Sequence, residues 1–350
     1  MAGLREMLRT LQTMRFLVSL VLATFLAATI QTQSQTLGSN QESSDTPNTL
    51  RNLSDLELAS TSRLELESAL KHRDFKRAET ILVQEAERDP KSVRAAKLLR
   101  TAGGVFFLDG QYMNAVVAWK KAEAIAPLDD RSRFTLAMAD IKLNKRDWAR
   151  TELDKLVAEK PREPLYLYWL ARLDYDARNY SSAISRLKTV IELDPNMARA
   201  YDSLGLCYDY LGKFDEAVQS YERAVALNRQ QAKPSPWPHL DLAISLISLS
   251  RFSEAEKSLR EAIGYDPKLP QAHYQLGRLL EMQGSYEMAA RSLDQASALA
   301  PAYAEPHYLL GRIYHRLGNE PRSKAEISRF EELRNASEAP AATGKLPSHE

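Results

Sequence analysis

One cysteine, Cys207, occurs in 350 residues, so no internal disulfide staples this chain. It stands among apolar neighbours on an expected helix, and an inert, packed thiol is the reading that follows. Neither sign of charge prevails, with 47 Lys and Arg against 46 Asp and Glu and a net charge of +1. That balance argues against nucleic acid or an anionic membrane surface as a partner. The common catalytic signatures are missing as well: no Gly-rich phosphate loop, no nucleophile elbow and no His-Glu-x-x-His pair. Asp and Glu are scattered at helical spacing, as on solvated faces. No catalytic, cofactor-binding or metal-binding residue is expected, and the chain reads as a non-enzyme. What it does have is 44% hydrophobic and 27% charged residues, enough for a sizeable core under a wettable surface.

The first 30 residues stand apart. Arg5, Arg9 and Arg15 precede an apolar run from Phe16 to Ile30, and the polar stretch from Gln31 to Gln35 follows at once. A basic flank and a run shorter than the ~20 residues of a spanning helix describe an export signal. An uncleaved membrane anchor is the second reading, and in both the remainder lies outside the cytoplasm, periplasmic or secreted. Any link to a membrane would run through this segment alone. Residues 31–58, rich in Ser, Thr, Asn and Gln, read as a flexible linker, and residues 335–350 as a disordered tail. Asn52, Asn179 and Asn335 open Asn-x-Ser sequons.

Residues 59–334 carry a repeat. Pro127, Pro161 and Pro195, then Pro267 and Pro301, recur at intervals of 34 residues. Units begin near Ala59, Ala96, Asp130, Pro164, Ala198, Pro236, Pro270 and Ala304. From the second unit on, the eighth place is small: Gly103, Ala137, Ala171, Gly205, Ala243, Gly277 and Gly311. The twentieth place reads Ala78, Ala115, Ala149, Ala183, Ala217, Ala255, Ala289 and finally Ser323. Two helices that cross closely need small residues at both points. Gly110, Gly212, Gly284 and Gly318 stand where the first helix should end. One connection is longer, from Arg229 to Ser235, and is expected to loosen the stacking there and act as a joint.

These positions resemble the tetratricopeptide repeat family, in which Trp-x2-Leu-Gly-x2-Tyr precedes Ala, an aromatic, Ala and Pro. Tyr201, Leu204, Gly205, Tyr208, Phe214, Ala217, Tyr221 and Ala224 follow that pattern most closely. The resemblance implies an all-α fold, a right-handed superhelical α-solenoid of about eight helix–turn–helix repeats. It also implies a concave groove lined by the first helices, with places 2, 5, 9, 12 and 13 turned inward. Carried over residue by residue, the peptide-binding candidates are Phe134, Tyr168, Arg172, Tyr175, Tyr210, Trp237, Tyr274, Arg278, Tyr308 and Arg312. Asp202 and Asp209 fall on the same wall. Tyr, Trp and Arg are the types that dominate binding hot spots. Two readings of the aromatics stay open: contacts to a peptide or partner helix, or packing between units. Arg172, Arg278 and Arg312 share the ninth place, where the family's carboxylate clamp would require Asn, so that clamp is not expected. Three forms of function remain: an exported scaffold for protein or peptide partners, a recognition or assembly subunit of an enzyme or envelope complex, and a self-associating structural protein.

His239, His273 and His307 recur at the fourth place of successive units. Packed helices lie about 8–10 Å apart, too far for one ion to draw in all three rings at ~2 Å. The fourth place is the family's Trp position, and packing is the expected role.

Overall fold

The computed structural model describes residues 53–338. The N-terminal segment, most of the linker and the residues after 338 lie outside the described residues. A 3-10 turn, Leu53–Leu56, comes first. Sixteen α-helices follow, and there is no strand among the described residues. They fall into two compact units that divide after Pro161. The first holds α1 (Ser60–Lys71), α2 (Phe75–Glu87), α3 (Val93–Leu108), α4 (Tyr112–Glu123), α5 (Asp130–Lys142) and α6 (Arg146–Glu159). The second holds α7 (Pro164–Asp176), α8 (Tyr180–Leu193), α9 (Ala198–Tyr210), α10 (Phe214–Asn228) and α11 (Trp237–Ser248), then α12 (Phe252–Tyr265), α13 (Pro270–Met282), α14 (Tyr286–Leu299), α15 (Ala304–Arg316) and α16 (Glu320–Glu338). Each helix–turn–helix pair is one repeat, and seven of the eight first helices start within one residue of the sequence phasing. The exception is α3, which begins at Val93, where the Ser92 hydroxyl caps the helix by accepting from the Ala95 N–H at 3.0 Å.

The turn inside each repeat is built one way. Its fifteenth place takes a left-handed backbone in all eight: Gly110, Gly212, Gly284 and Gly318, but also Arg73, Asn144, Arg178 and Ser250, at φ of 56° to 61°. Glycine adopts that conformation freely and the other four adopt it under strain. The periodic prolines then follow the second helices closely, as Pro161 follows Glu159 and Pro195 follows Leu193.

Small residues at the eighth place do more than admit a backbone. A Cβ on Gly103 would come within 2.6 Å of the Trp119 ring, and one on Gly205 within 2.5 Å of the Tyr221 ring. Trp119 and Tyr221 occupy the twenty-fourth place of their repeats and are fully buried. Where that place holds Leu153, Leu187 or Leu259, the eighth holds alanine. Ring against glycine and branched chain against alanine or glycine give the same close packing. Ser323, the one departure from alanine at the twentieth place, donates its hydroxyl to the Gly311 carbonyl at 2.8 Å.

Three sequence boundaries shift. The end of the linker is not free: Leu53, Leu56 and Leu58 pack on the core of the first hairpins, and Lys97 reaches the Glu57 carboxylate at 3.2 Å. Three leucines at that spacing bury apolar surface that the polar stretch before them lacks. The last helix runs to Glu338, four residues into the span read as a tail. The long connection after α10 is tied down. Buried Asn228 donates to the Ser235 carbonyl at 2.7 Å and accepts from its N–H at 2.8 Å, and Arg229 pairs with Glu261 at 2.6 Å. The division between compact units falls at Pro161 rather than at this insert.

Candidate partner-binding surface

The ten candidate residues separate by burial. Phe134, Tyr168, Tyr175 and Tyr274 are interior side chains, exposed by only 2%, 5%, 7% and 7%. Tyr308 is 39% exposed although it holds the same fifth place as Phe134, Tyr168 and Tyr274. Among the described residues no first helix follows the repeat to which Tyr308 belongs. In the second unit the fifth place therefore serves mainly for stacking. Tyr168 shows how: the Arg199 guanidinium of the next first helix lies 4.6 Å above its ring, and Ser203 donates to its hydroxyl at 3.5 Å.

The remainder stay at least partly open. Arg172, Tyr210, Trp237 and Arg278 are half-buried, and Arg312 is exposed. Tyr210 stacks on Tyr180 with ring centroids 4.2 Å apart, and Tyr180 meets Tyr175 edge-on at 5.6 Å. Arg312 pairs with Glu281 at 3.1 Å and lies over Tyr308 at 5.8 Å, while Tyr308 itself meets Phe330 at 5.3 Å. Among the described residues Arg278 donates only to Gln275, at 3.3 Å. The three arginines of the ninth place thus differ: Arg312 is ion-paired, Arg278 is lightly held, and Arg172 has no hydrogen-bond acceptor among the described residues.

Around Arg172 the wall is polar and largely buried. It is made by α7, α9 and α11. Asp209 accepts from Ser245 at 2.6 Å and from Tyr221 at 3.0 Å. Burial pushes its carboxyl up to about 6, against the two hydrogen bonds. Asp202, two turns earlier on α9, is 5% exposed, and its Oδ1 has no partner. Burial, with Asp209 nearby, pushes that carboxyl up to about 7 while Arg172 opposes the shift. The Tyr175 hydroxyl also lacks a partner. Burial pushes the Cys207 thiol up to about 12, as fits the packed, unreactive side chain expected from sequence. Of the two residues that bear on Asp209, Ser245 was absent from the sequence reading and Tyr221 entered it only as a residue of the repeat pattern. A polar residue at the tenth place, which holds Val105, Ala139, Leu173, Cys207, Leu279 and Ile313 in other repeats, was the available signal at Ser245.

The three histidines point to different partners. His239 is buried with Nδ1 3.2 Å from Glu261, His273 Nε2 donates to the Pro267 carbonyl at 2.9 Å, and His307 Nδ1 lies 2.6 Å from Glu326. Among the described residues no helix is long and apolar enough to cross a membrane. Asn179 and Asn335 are exposed, and Asn52 lies outside the described residues.

Repeat length, paired helices and the packing of the eighth place on the twenty-fourth define a helical-repeat protein. The tetratricopeptide repeat family model matches residues 170–233 and 240–304, and the chain is similar to that family there. A tetratricopeptide repeat protein from Parabacteroides merdae shares the fold at a TM-score of 0.58, with 15% identity over 72% of this chain and 97% of that one. So does PilW, a type IV pilus biogenesis factor, at a TM-score of 0.55, 18% identity and coverage of 60% and 95%. Among curated proteins, the BBSome complex member BBS4 homolog of Drosophila melanogaster is 23% identical over 202 residues, 57% of this chain. The bovine BBS4 is 21% identical over the same length, 54% of this chain. The matches span only 39% and 32% of those two relatives. Proteins of this fold are in general scaffolds for other polypeptides rather than catalysts.

Proposed function

We propose that this chain is an exported, non-catalytic scaffold whose first helices in the second compact unit hold a protein or peptide partner. The observation that carries the reading is Arg172, Tyr210, Trp237 and Arg278 left partly open on successive first helices while the apolar faces around them are closed. Large aromatic and guanidinium groups at such places supply contact area at small rotamer cost. The basic, then apolar, then polar order of residues 1–35 supports export, by a cleaved signal or by an anchor. Mass spectrometry of the mature N-terminus distinguishes the two, and an intact Met1 on a cytosolic protein contradicts both. The second form of the reading is an assembly subunit. By name, one relative is a member of the BBSome complex and one structural neighbour is a type IV pilus biogenesis factor. In-vivo cross-linking from the native cell, with Trp237→Ala/Arg278→Ala as the control, tests the surface directly. Loss of one set of partners from that variant is the expected outcome, and unchanged recovery contradicts the proposed surface.

A further inference from the structure

Exposed apolar side chains are not scattered evenly over this chain. Among the described residues, seven of the twelve large ones stand at places 13 to 19, on or just after the turn inside a repeat. Three belong to the first compact unit: Leu108, Met113 and Trp148, exposed by 48%, 47% and 50%. Trp119 and Trp169 are buried and Trp237 is half-buried, whereas Trp148 is open, with Lys145 Nζ 5.5 Å from its ring centre. The internal turns of this unit lie side by side. Leu70 and Phe75, which flank the first turn, pack on the same core cluster as Phe106, just before the second. Tyr112, after the second turn, and Leu143, in the third, share the next cluster. Gln111 of the second turn donates to Glu79 on α2 at 3.1 Å.

The same turns carry an excess of positive charge. Lys71, Arg73 and Lys76 are exposed at the first, and Lys142, Lys145 and Arg146 at the third. Arg77 is paired with Glu65 at 3.2 Å. The exposed acids are Asp74, Asp109 and Asp147. Two of them have local partners: Asp74 caps α2 through the Arg77 N–H at 3.1 Å, and Asp109 accepts from Gln111. Turns of the second unit expose Leu211, Met282 and Leu317 as well, but there Glu216, Glu287 and Glu320 accompany them. An anionic bilayer surface attracts Lys and Arg within a Debye length, and the amphipathic ring of tryptophan settles at headgroup depth. A cationic stem lies along apolar groups while its charge stays in water, as Lys145 does over Trp148. Nucleic acid could take up the cations and the ring, but it gives Leu108 and Met113 nothing to enter. We propose that the turn edge of the first unit rests on a lipid surface bearing anionic headgroups. The net charge of +1 argues against such a partner only for the chain as a whole, and it conceals this local excess. No residue of this edge belongs to the partner wall of the second unit.

The test uses the whole chain, so that residues 16–30 contribute alike to every sample. It is sedimented with vesicles of phosphatidylcholine alone or with about one third phosphatidylglycerol, and hydrogen exchange is read turn by turn. Phosphatidylglycerol is expected to raise binding at least ~tenfold, and high salt to remove the gain. Protection is expected at residues 71–77, 108–113 and 142–148. At about fivefold per charge, Lys145→Glu/Arg146→Glu is expected to lower binding to the anionic vesicles at least tenfold. Trp148→Ser is expected to lower it on the order of fivefold. Arg178→Glu/Lys213→Glu, an equal charge change on turns of the second unit, is expected to alter it by less than about threefold. No gain from phosphatidylglycerol, an equal loss in the two charge variants, or a gain without protection at those turns overturns the proposal. Protection of the same turns by single-stranded DNA but not by the vesicles assigns the edge to nucleic acid and overturns it as well.

Discussion

The two compact units each bury acidic side chains, but they satisfy them differently from place to place. In the first, Glu85 receives Arg94 at 2.6 Å and Arg88 at 2.9 Å. Glu152 there receives Lys120 and Arg133 at 2.7 Å and Lys155 at 3.2 Å. In the second unit, Asp209 is held by two hydroxyls and Asp202 Oδ1 by nothing. At homologous places the contrast reverses. Asp174 faces Arg186 at 2.8 Å across the eleventh and twenty-third places, whereas one repeat earlier those places hold Asp140 and Glu152, two acids. Glu152 then takes its cations from α4, α5 and its own helix, and burial with Glu152 nearby pushes Asp140 up to about 7. One backbone plan therefore tolerates very different polar interiors. Ion pairs make a closed structural network, and unmatched groups leave buried polar atoms without a partner.

The largest effects test packing, on which the units agree. Trp119→Ala in the first unit and Tyr221→Ala in the second are each expected to cost about 3–5 kcal/mol, measured by denaturant unfolding. A cost below about 1 kcal/mol for either breaks the rule that a buried ring sits on the eighth-place glycine.

Next come the acids, where the units should diverge. Arg133→Met removes one buried partner of Glu152 and is expected to destabilise by about 3 kcal/mol. Asp202→Asn removes a charge with no partner and is expected to be neutral or stabilising at pH 8. Equal destabilisation by both erases the contrast.

The pH dependence should also differ in sign. Asp202 and Asp209 have folded values of about 7 and about 6 against a model-peptide value of 3.8. They favour the folded state fully below about pH 4, and that contribution is lost as pH rises through 6 to 7. Arg172 on α7 bears on Asp202, Tyr221 on α10 and Ser245 on α11 bear on Asp209, and Asp241 on α11 bears on Tyr221 in turn. Glu85, Glu123 and Glu152 are held below 4.5, Glu85 chiefly by Arg94 and the other two by their Lys and Arg partners against burial. Their contribution is present above about pH 4.5 and lost as pH falls. Asp140 adds a share of the opposite sign to the first unit. Hydrogen exchange resolved by helix should show α9 opening more readily from pH 5 to pH 8, and Asp202→Asn should flatten that trend.

The smallest effect is local. Arg178→Gly and Ser250→Gly are expected to stabilise by about 0.5–1 kcal/mol by relieving left-handed strain, and Gly212→Ala to destabilise by about 1 kcal/mol. Thermal melts compare the three directly.

Much of the fold was legible because the repeat writes each constraint eight times. The eighth and twentieth places, the turn and the closing prolines all stood out by recurrence. The twenty-fourth place did not, since Trp119, Tyr221 and several leucines share no residue type; only the size of the eighth-place partner links them. The candidate surface was read less well. Periodicity places Phe134, Tyr168 and Tyr308 on one line, but it does not reveal that the first two are buried and the last is open. The polar wall depends on Ser245 and Tyr221 converging on Asp209 from other helices, which no local pattern encodes.

The central claim is that a partner rests on the first helices of the second unit. Hydrogen exchange of the native complex, mapped helix by helix against the free protein, tests it most directly. Protection on α7, α9, α11 and α13, lost in Trp237→Ala/Arg278→Ala, is the predicted result. Protection on the second helices α8, α10 and α12 instead, unaltered in that variant, contradicts it.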